Sequence, residues 1–576
     1  MPERLVLCGG AKRTGNDSTL RLALDGRSQN VTLKLEDISK RLVKNVPDLL
    51  IDLVEIAAYV YCADQAASRG GEAQFGMGSD WRRRFRFVIP VRHPDHWSNP
   101  KVLEPLGDAL SFLSEDDYAF EFEKAANPVP LGNYLELSEE SGAFKADEVV
   151  PFSGGLDSLS GAIEELSADA RNVALVSHRS SPKIFEHQKR LVAELKRRFP
   201  KRLMHFPVVV TRREPLRVHE CTQRSRSFLY AALACVVARL FGKTRIRFFE
   251  NGVVSINLPI SEQVVGARAT RTTHPLVLEQ FCEFFSSAVG MPIEFENLFI
   301  WKTKADVIRS IVERDCGPLI KDTISCTRSY DATKMHPHCG CCSQCLDRRF
   351  AVLAAEAAEH DPEEMYKVEL LTSAREKPND QTMVESYVRT ALELHDVDER
   401  AFFGRFSGET SRVCSGFSRL KSDDVARQIL GLHQRHGQAI WNVLTAAVKT
   451  HSAALVNGSL PPSSVLMMAV ARGGRPALTN IGKRTDPVEA WFVNEAESRS
   501  GNEDDVRSGR QRHRRKSQPT LERARIAIQE LYPTGVPQQA AEPNTILCRR
   551  VGQKLKQTGL PEVSNDTILR AAGRRT

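Results

Sequence analysis

At 576 residues, 41% of them hydrophobic and 26% charged, the chain has the composition of a soluble globular protein and room for roughly two to four domains. It has no apolar run of about 18 residues, which excludes a helical membrane span, and the start Met1-Pro2-Glu3-Arg4-Leu5 does not resemble a signal peptide, so a cytoplasmic location is expected. The net charge of +8 is uneven: the residues from Val506 onward hold 15 Lys and Arg against 5 Asp and Glu, leaving 65 against 67 for the rest, so any electrostatic contact with nucleic acid is expected from the tail.

Residues 1–145 are expected to form an α+β domain. Arg4–Cys8 and Val31–Leu35 have the look of short strands, and Asp48 to about Ala67 that of a helix with Leu50, Val54, Ala57, Ala58 and Tyr61 on one face. Phe85, Phe87, Ile89 and Val91 alternate with Arg84, Arg86, Val88 and Pro90, the period of a half-buried strand. Trp97–Leu113 is expected to be helical, and Phe120 and Phe122 continue the alternation. His93, Asp95 and His96 lie close together, but a polar loop accounts for them better than a metal site.

From 146 to 358 strands and helices alternate: a strand at Val173–His178, a helix at Pro182–Arg198, a strand at Leu203–Val210, a helix at Ser225–Phe241 and a strand at Ile246–Phe249. That order predicts an α/β fold, a parallel sheet covered on both faces. Such sheets bind ligands at the carboxyl ends of their strands. The apolar Val149–Phe152 leads there into Ser153-Gly154-Gly155-Leu156-Asp157-Ser158 and a helix to about Leu166. A glycine turn at a helix N-terminus presents backbone N–H groups to a phosphate. Asp157 suits such a place if it binds Mg²⁺ or orients the turn. An ordinary strand–turn–helix corner is the plainer alternative. Arg224-Ser225-Arg226-Ser227, Glu250-Asn251-Gly252, Arg271–Pro275 and Trp301–Ile308, with its two lysines, are expected at the same edge.

Cys339, Cys342 and Cys345 form a Cys-x2-Cys-x2-Cys run, with Cys326 thirteen positions before it. Four thiolates close a tetrahedral shell, as a structural Zn²⁺ requires. An Fe–S cluster, buried free thiols, or His336 or His338 in place of one cysteine are the alternatives, and Cys341 is a spare thiol.

The string Ser153–Ser158 resembles the PP-loop of ATP pyrophosphatases. Over about residues 147–358 the chain is similar to the 7-cyano-7-deazaguanine synthases, the QueC family. The cysteine run followed by Arg348, Arg224–Leu229 and Thr303–Ile308 carry the likeness further. Ser225 stands where the family has Asn, Cys326 lies farther from the run, and the chain is more than twice the family's length. The resemblance implies ATP-dependent adenylation of the carboxylate of 7-carboxy-7-deazaguanine, then amide or nitrile formation. It implies ATP and Mg²⁺ held by Ser153, Gly154, Gly155, Leu156, Asp157, Ser158, Ser177 and Arg226, catalytic roles for Asp157, Lys304 and Arg224, and Zn²⁺ on Cys326, Cys339, Cys342 and Cys345. Longer QueC-like proteins resemble components of antiphage defence operons, which implies acyl transfer to an amine of a protein partner or a nucleic acid. A tRNA-modifying PP-loop enzyme and a non-catalytic nucleotide-binding module are the alternatives.

Residues 359–497 are expected to be helical, with Val425, Ile429, Leu432, Ile440 and Val443 at helical spacing. Residues 498–520 are polar and basic, a linker by composition. Within 521–576, helices are expected at Leu521–Tyr532, at Asn544–Lys556 and after Ser564. The last two resemble a helix-turn-helix that would meet nucleic acid mostly at phosphates; a small basic docking domain is the alternative.

Overall fold

The computed structural model describes residues 3–471 apart from 12, 14–18, 35–37, 39–45, 70–81, 127–143, 169–170, 215, 217–219, 221–222, 260–270, 329–332 and 334; beyond 471 it describes 524, 527–532, 536, 544–558, 563 and 565–572. It has two compact units, Met1–Arg475 and Pro476–Thr576. Among the described residues of the first, ten strands occur: β1 (Glu3–Cys8), β2 (Leu20–Leu22), β3 (Val31–Lys34), β4 (Arg84–Val91), β5 (Asp117–Lys124), β6 (Glu148–Pro151), β7 (Val173–Arg179), β8 (Leu203–Arg212), β9 (Arg245–Phe248) and β10 (Glu294–Asn297).

They form two sheets, β2-β1-β4-β5 and β10-β9-β6-β7-β8-β3. Every pairing is parallel except that of β3 with β8. The parallel sheet expected from the alternating pattern is therefore present. Its central strands β6 and β7 carry apolar residues on both faces because both are covered. Val149, Ala174 and Val176 enter one core with the helix Arg226–Leu240. Val150 and Leu175 enter another with the helices Leu156–Ser167 and Pro182–Arg198.

The first 145 residues, expected to form an α+β domain, have two distinguishing features. Their own sheet is wholly parallel, and β3 leaves it to edge the second sheet. The helix Asp48–Ala66, expected to bury one face, is buried at every position from Leu50 to Ala66 except Glu55. It packs on β2, β3, β8 and the helix Arg226–Leu240, so one core holds residues of both sheets. A helix buried on every side needs such a place between layers, and its buried Asp52 and Asp64 are paired with Arg92 and Arg83.

From β6 the chain runs outward through β7 and β8. It then crosses on the opposite face by the helix Arg226–Leu240 and returns to β9 on the other side of β6. The loops after β6 and β9 therefore diverge, which opens a crevice at the strand ends.

Beyond residue 359 the helices Pro378–Leu394, Glu399–Ser415 and Ser422–Thr450 follow. Val384, Tyr387, Val388 and Ile440 pack around Leu346 and Phe350 of the helix Ser343–Ala354. Phe402, Ile429 and Leu432 pack on Ile256 and Ile300. In the smaller unit Leu547, Val551 and Leu555 of the helix Asn544–Gln557 close on Ile568 of Asn565–Ala571. The expected linker, Ser564 and five of the twelve residues of the helix expected at Leu521–Tyr532 lie outside the described residues.

Candidate functional site

The β6 strand ends at Pro151, and Phe152 N–H donates to Val176 O at 2.7 Å. Gly154 then takes φ +83°, where a Cβ would lie 3.2 Å from Gln188 Cγ, so glycine relieves both backbone strain and crowding. Gly155 begins the helix Leu156–Ser167, and no side chain caps it. Leu156, Asp157 and Ser158 are first-turn residues, whose amides have no partner inside a helix. The turn is held by its own serines: Gly155 N–H donates to Ser153 Oγ at 3.3 Å, Ser158 Oγ donates to Gly155 O at 3.1 Å, and the two hydroxyls are 3.2 Å apart. Gln188 Nε2 donates to Ser153 O at 3.1 Å, and Ile324 N–H to Gly154 O at 3.3 Å.

This loop lines a cavity of about 390 Å³ together with Arg226, Glu250, Thr272, Thr273, Lys304 and Cys326. Lys304 begins the helix Lys304–Val312, which Thr303 and Asp306 close as a capping box. Its ammonium is almost fully buried and lies 2.5 Å from Asp157 Oδ2 and 3.9 Å from Asp347 Oδ2. Asn251 Nδ2 reaches Asp157 Oδ1 at 3.4 Å. Glu250 accepts hydrogen bonds from Thr272 at 2.8 Å and from Thr273. Burial pushes the Glu250 and Asp347 carboxyls up from the ordinary range. The lysine keeps its charge against burial because Asp157, then Asp347, raise it. Two carboxylates, Asp157 and Glu250, and two cations, Lys304 and Arg226, line one crevice, a set that suits a polyphosphate with a divalent cation.

Ser153–Ser158, Arg226, Lys304 and Cys326 thus meet at one cavity. Two expected site residues, the cofactor-binding Ser177 and the catalytic Arg224, do not line it. Ser177 is buried beneath the loop, donating to Phe152 O at 2.7 Å, with His205 Nε2 2.8 Å away. Arg224 points instead to the end of the helix Pro100–Ser114, 3.5 Å from Ser114 O. Burial, then Arg69, lowers its guanidinium to about 10.

The ligand sulfurs of Cys326, Cys339, Cys342 and Cys345 all lie within 4.8 Å of one another, and Cys339 and Cys345 Sγ are 3.9 Å apart. Metal–sulfur bonds of about 2.3 Å in a tetrahedron require sulfurs at about this spacing, so the four thiols fit a metal ion such as zinc. Cys341 and Cys342 N–H donate to Cys339 Sγ at 3.4 and 3.3 Å. Cys342 caps the helix Ser343–Ala354, and hydrogen bonds from Cys326, Cys339 and Cys345 lower its thiol well below the usual value. Neither histidine replaces a cysteine: His336 Nδ1 lies 2.9 Å from Glu364 O, and His338 is buried and stacked on Tyr366. Among the described residues no second group of this kind occurs; His96 instead meets Ala288 O at 2.9 Å.

Comparison with protein-family models gives no match, and no curated protein matches the chain. Asp347 and Tyr387 escaped the sequence reading. Asp347 stands two positions after the last cysteine, Cys345, and Tyr387 comes from a helix 40 positions on, so no spacing links them to Lys304. Glu250, Thr272 and Thr273 were visible only as polar residues expected at the strand ends.

Proposed function

We propose that the chain is an ATP-consuming, PP-loop enzyme that adenylates the carboxylate of 7-carboxy-7-deazaguanine or a close analogue. The acyl group then passes to an amine, of a protein partner in an antiphage defence system, to give an amide. The observation that carries this reading is the uncapped helix start after Ser153-Gly154-Gly155, opening on a cavity that also holds Lys304 and Arg226.

A carboxylate oxygen attacks the α-phosphorus of ATP, the bond to the β-phosphate bridge breaks, and pyrophosphate leaves. The leaving group gains negative charge. The amides of Leu156–Ser158, Lys304 and Arg226 are the groups that balance it. Asp157 and Glu250 would hold Mg²⁺, which supplies charge neutralisation at the phosphates. The amine then attacks the acyl carbon, AMP leaves, and the amine loses a proton. Cys326, Thr327 and Gln344 border the same cavity, and Ile324 N–H donates to Gly154 O, so the cysteine module would shape one wall of it, and zinc would have a structural role there. The basic C-terminal unit would hold nucleic acid by its phosphates.

The test is ATP–pyrophosphate exchange on the full chain with and without 7-carboxy-7-deazaguanine. Exchange that requires the deazaguanine and vanishes in Asp157→Ala is expected. Exchange with tRNA as the only effective co-substrate, or binding of ATP without exchange, would replace the reading by one of its alternatives.

A further inference from the structure

The Lys304 ammonium has two carboxylates about it, and they belong to different parts of the molecule. Asp157 comes from the phosphate-loop helix, at 2.5 Å, and Asp347 from the cysteine-bearing helix Ser343–Ala354, at 3.9 Å. Asp347 is buried, and its Oδ2, the oxygen facing Lys304, has no hydrogen-bond partner. Its Oδ1 accepts from Tyr387 Oη at 3.0 Å. Tyr387 lies on Pro378–Leu394, outside the nucleotide core. It is wedged against Phe350, with ring centroids 5.8 Å apart at 17°, and against the edge of His436 on Ser422–Thr450. A buried carboxylate with one free oxygen beside an ammonium is costly unless that oxygen serves the cation.

Asp157 is the more exposed of the two carboxylates and sits in the loop that would meet nucleotide and Mg²⁺. When it turns to them, Lys304 would lose its nearer partner inside a buried site. We propose that Asp347, fixed by Tyr387, is the positioning residue for Lys304, holding the ammonium charged and aimed into the cavity when Asp157 engages the nucleotide. The catalytic part of this claim rests on the proposed adenylation; the anchoring of Lys304 does not. It also gives the C-terminal helices a task, since they hold Tyr387 in place.

The experiment compares wild type, Asp347→Asn and Tyr387→Phe as full chains. Lys304 and Lys302 are acetylated at fixed pH with limiting acetic anhydride, and each is quantified by peptide mass spectrometry. Lys302, paired to Glu164 at 2.8 Å, is the internal control, because general loosening raises both lysines. Expected is a selective rise at Lys304 of at least about fivefold in Asp347→Asn, since loss of the carboxylate frees and partly deprotonates the amine, with a smaller rise in Tyr387→Phe. In the exchange assay, kcat should fall about tenfold in Asp347→Asn with KM for ATP within about twofold, and the substitution should add nothing to Lys304→Met. Unchanged Lys304 acetylation, or an equal rise at both lysines, overturns the anchor. If Asp347→Asn does not fold, Tyr387→Phe decides by the same ratio. Absence of exchange in wild type overturns the adenylation instead, and the acetylation ratio still decides the anchor.

Discussion

Gly340 shows how one residue governs the cysteine cluster. Its φ is +76°, and a Cβ there would lie 1.9 Å from Val368 O. The turn it permits aims the Cys341 and Cys342 amides at Cys339 Sγ. Gly340→Ala is expected to weaken metal binding by roughly 10- to 100-fold, the usual effect of losing groups that orient a ligand. Competition with a chromophoric chelator measures it, and unchanged affinity would mean the turn is not needed. At this scale the cysteines were legible because ligand spacing is local. Arg224 was not, since a basic residue before a helix has the same appearance whether it faces a phosphate or, as here, Ser114.

Among the elements, the helix Ser343–Ala354 is pinned by Arg348. This fully buried guanidinium donates to Asp361 at 2.6 and 3.0 Å, to Thr323 Oγ1 at 2.6 Å, to Ile320 O at 2.9 Å and to Tyr366 Oη at 3.1 Å. Removing one partner of a buried pair strands the other, so Arg348→Ala should cost about 3–5 kcal/mol in urea unfolding and also loosen the metal. A change within about 0.5 kcal/mol would show that water replaces the guanidinium. The helix Arg226–Leu240 was visible as a long apolar run. The helix Pro275–Val289 was missed although it carries a start signal, Pro275 after the capping His274. The β10 strand, Glu-Phe-Glu-Asn, has no pattern of its own, and its identity comes from pairing with β9.

At the scale of the whole molecule, acid should unfold the protein through buried neutral histidines. His178 and His274 are lowered to about 3 and His433 to about 4, each chiefly by burial. Their folded values lie below the ordinary one of about 6.5, so the unfolded chain binds more protons. Their stabilisation is complete above about pH 6.5 and is lost as pH falls toward about 4 for His433 and about 3 for His178 and His274, each contributing at most about 1.4 kcal/mol per pH unit. Urea midpoints at pH 7.5, 6 and 5 should fall in that order; a flat profile would show that these rings are protonated in the fold. The sequence alone determined the alternation that makes a parallel sheet, the glycine turn at a strand end and the four-cysteine spacing, because each depends on residues near one another in the chain. Tertiary structure alone decided that β3 crosses to the second sheet, that the Asp48–Ala66 helix is buried between layers, and that Asp347 and Tyr387 stand behind Lys304. Those choices follow from which apolar surfaces and buried charges find partners across hundreds of residues, and no local pattern carries that information.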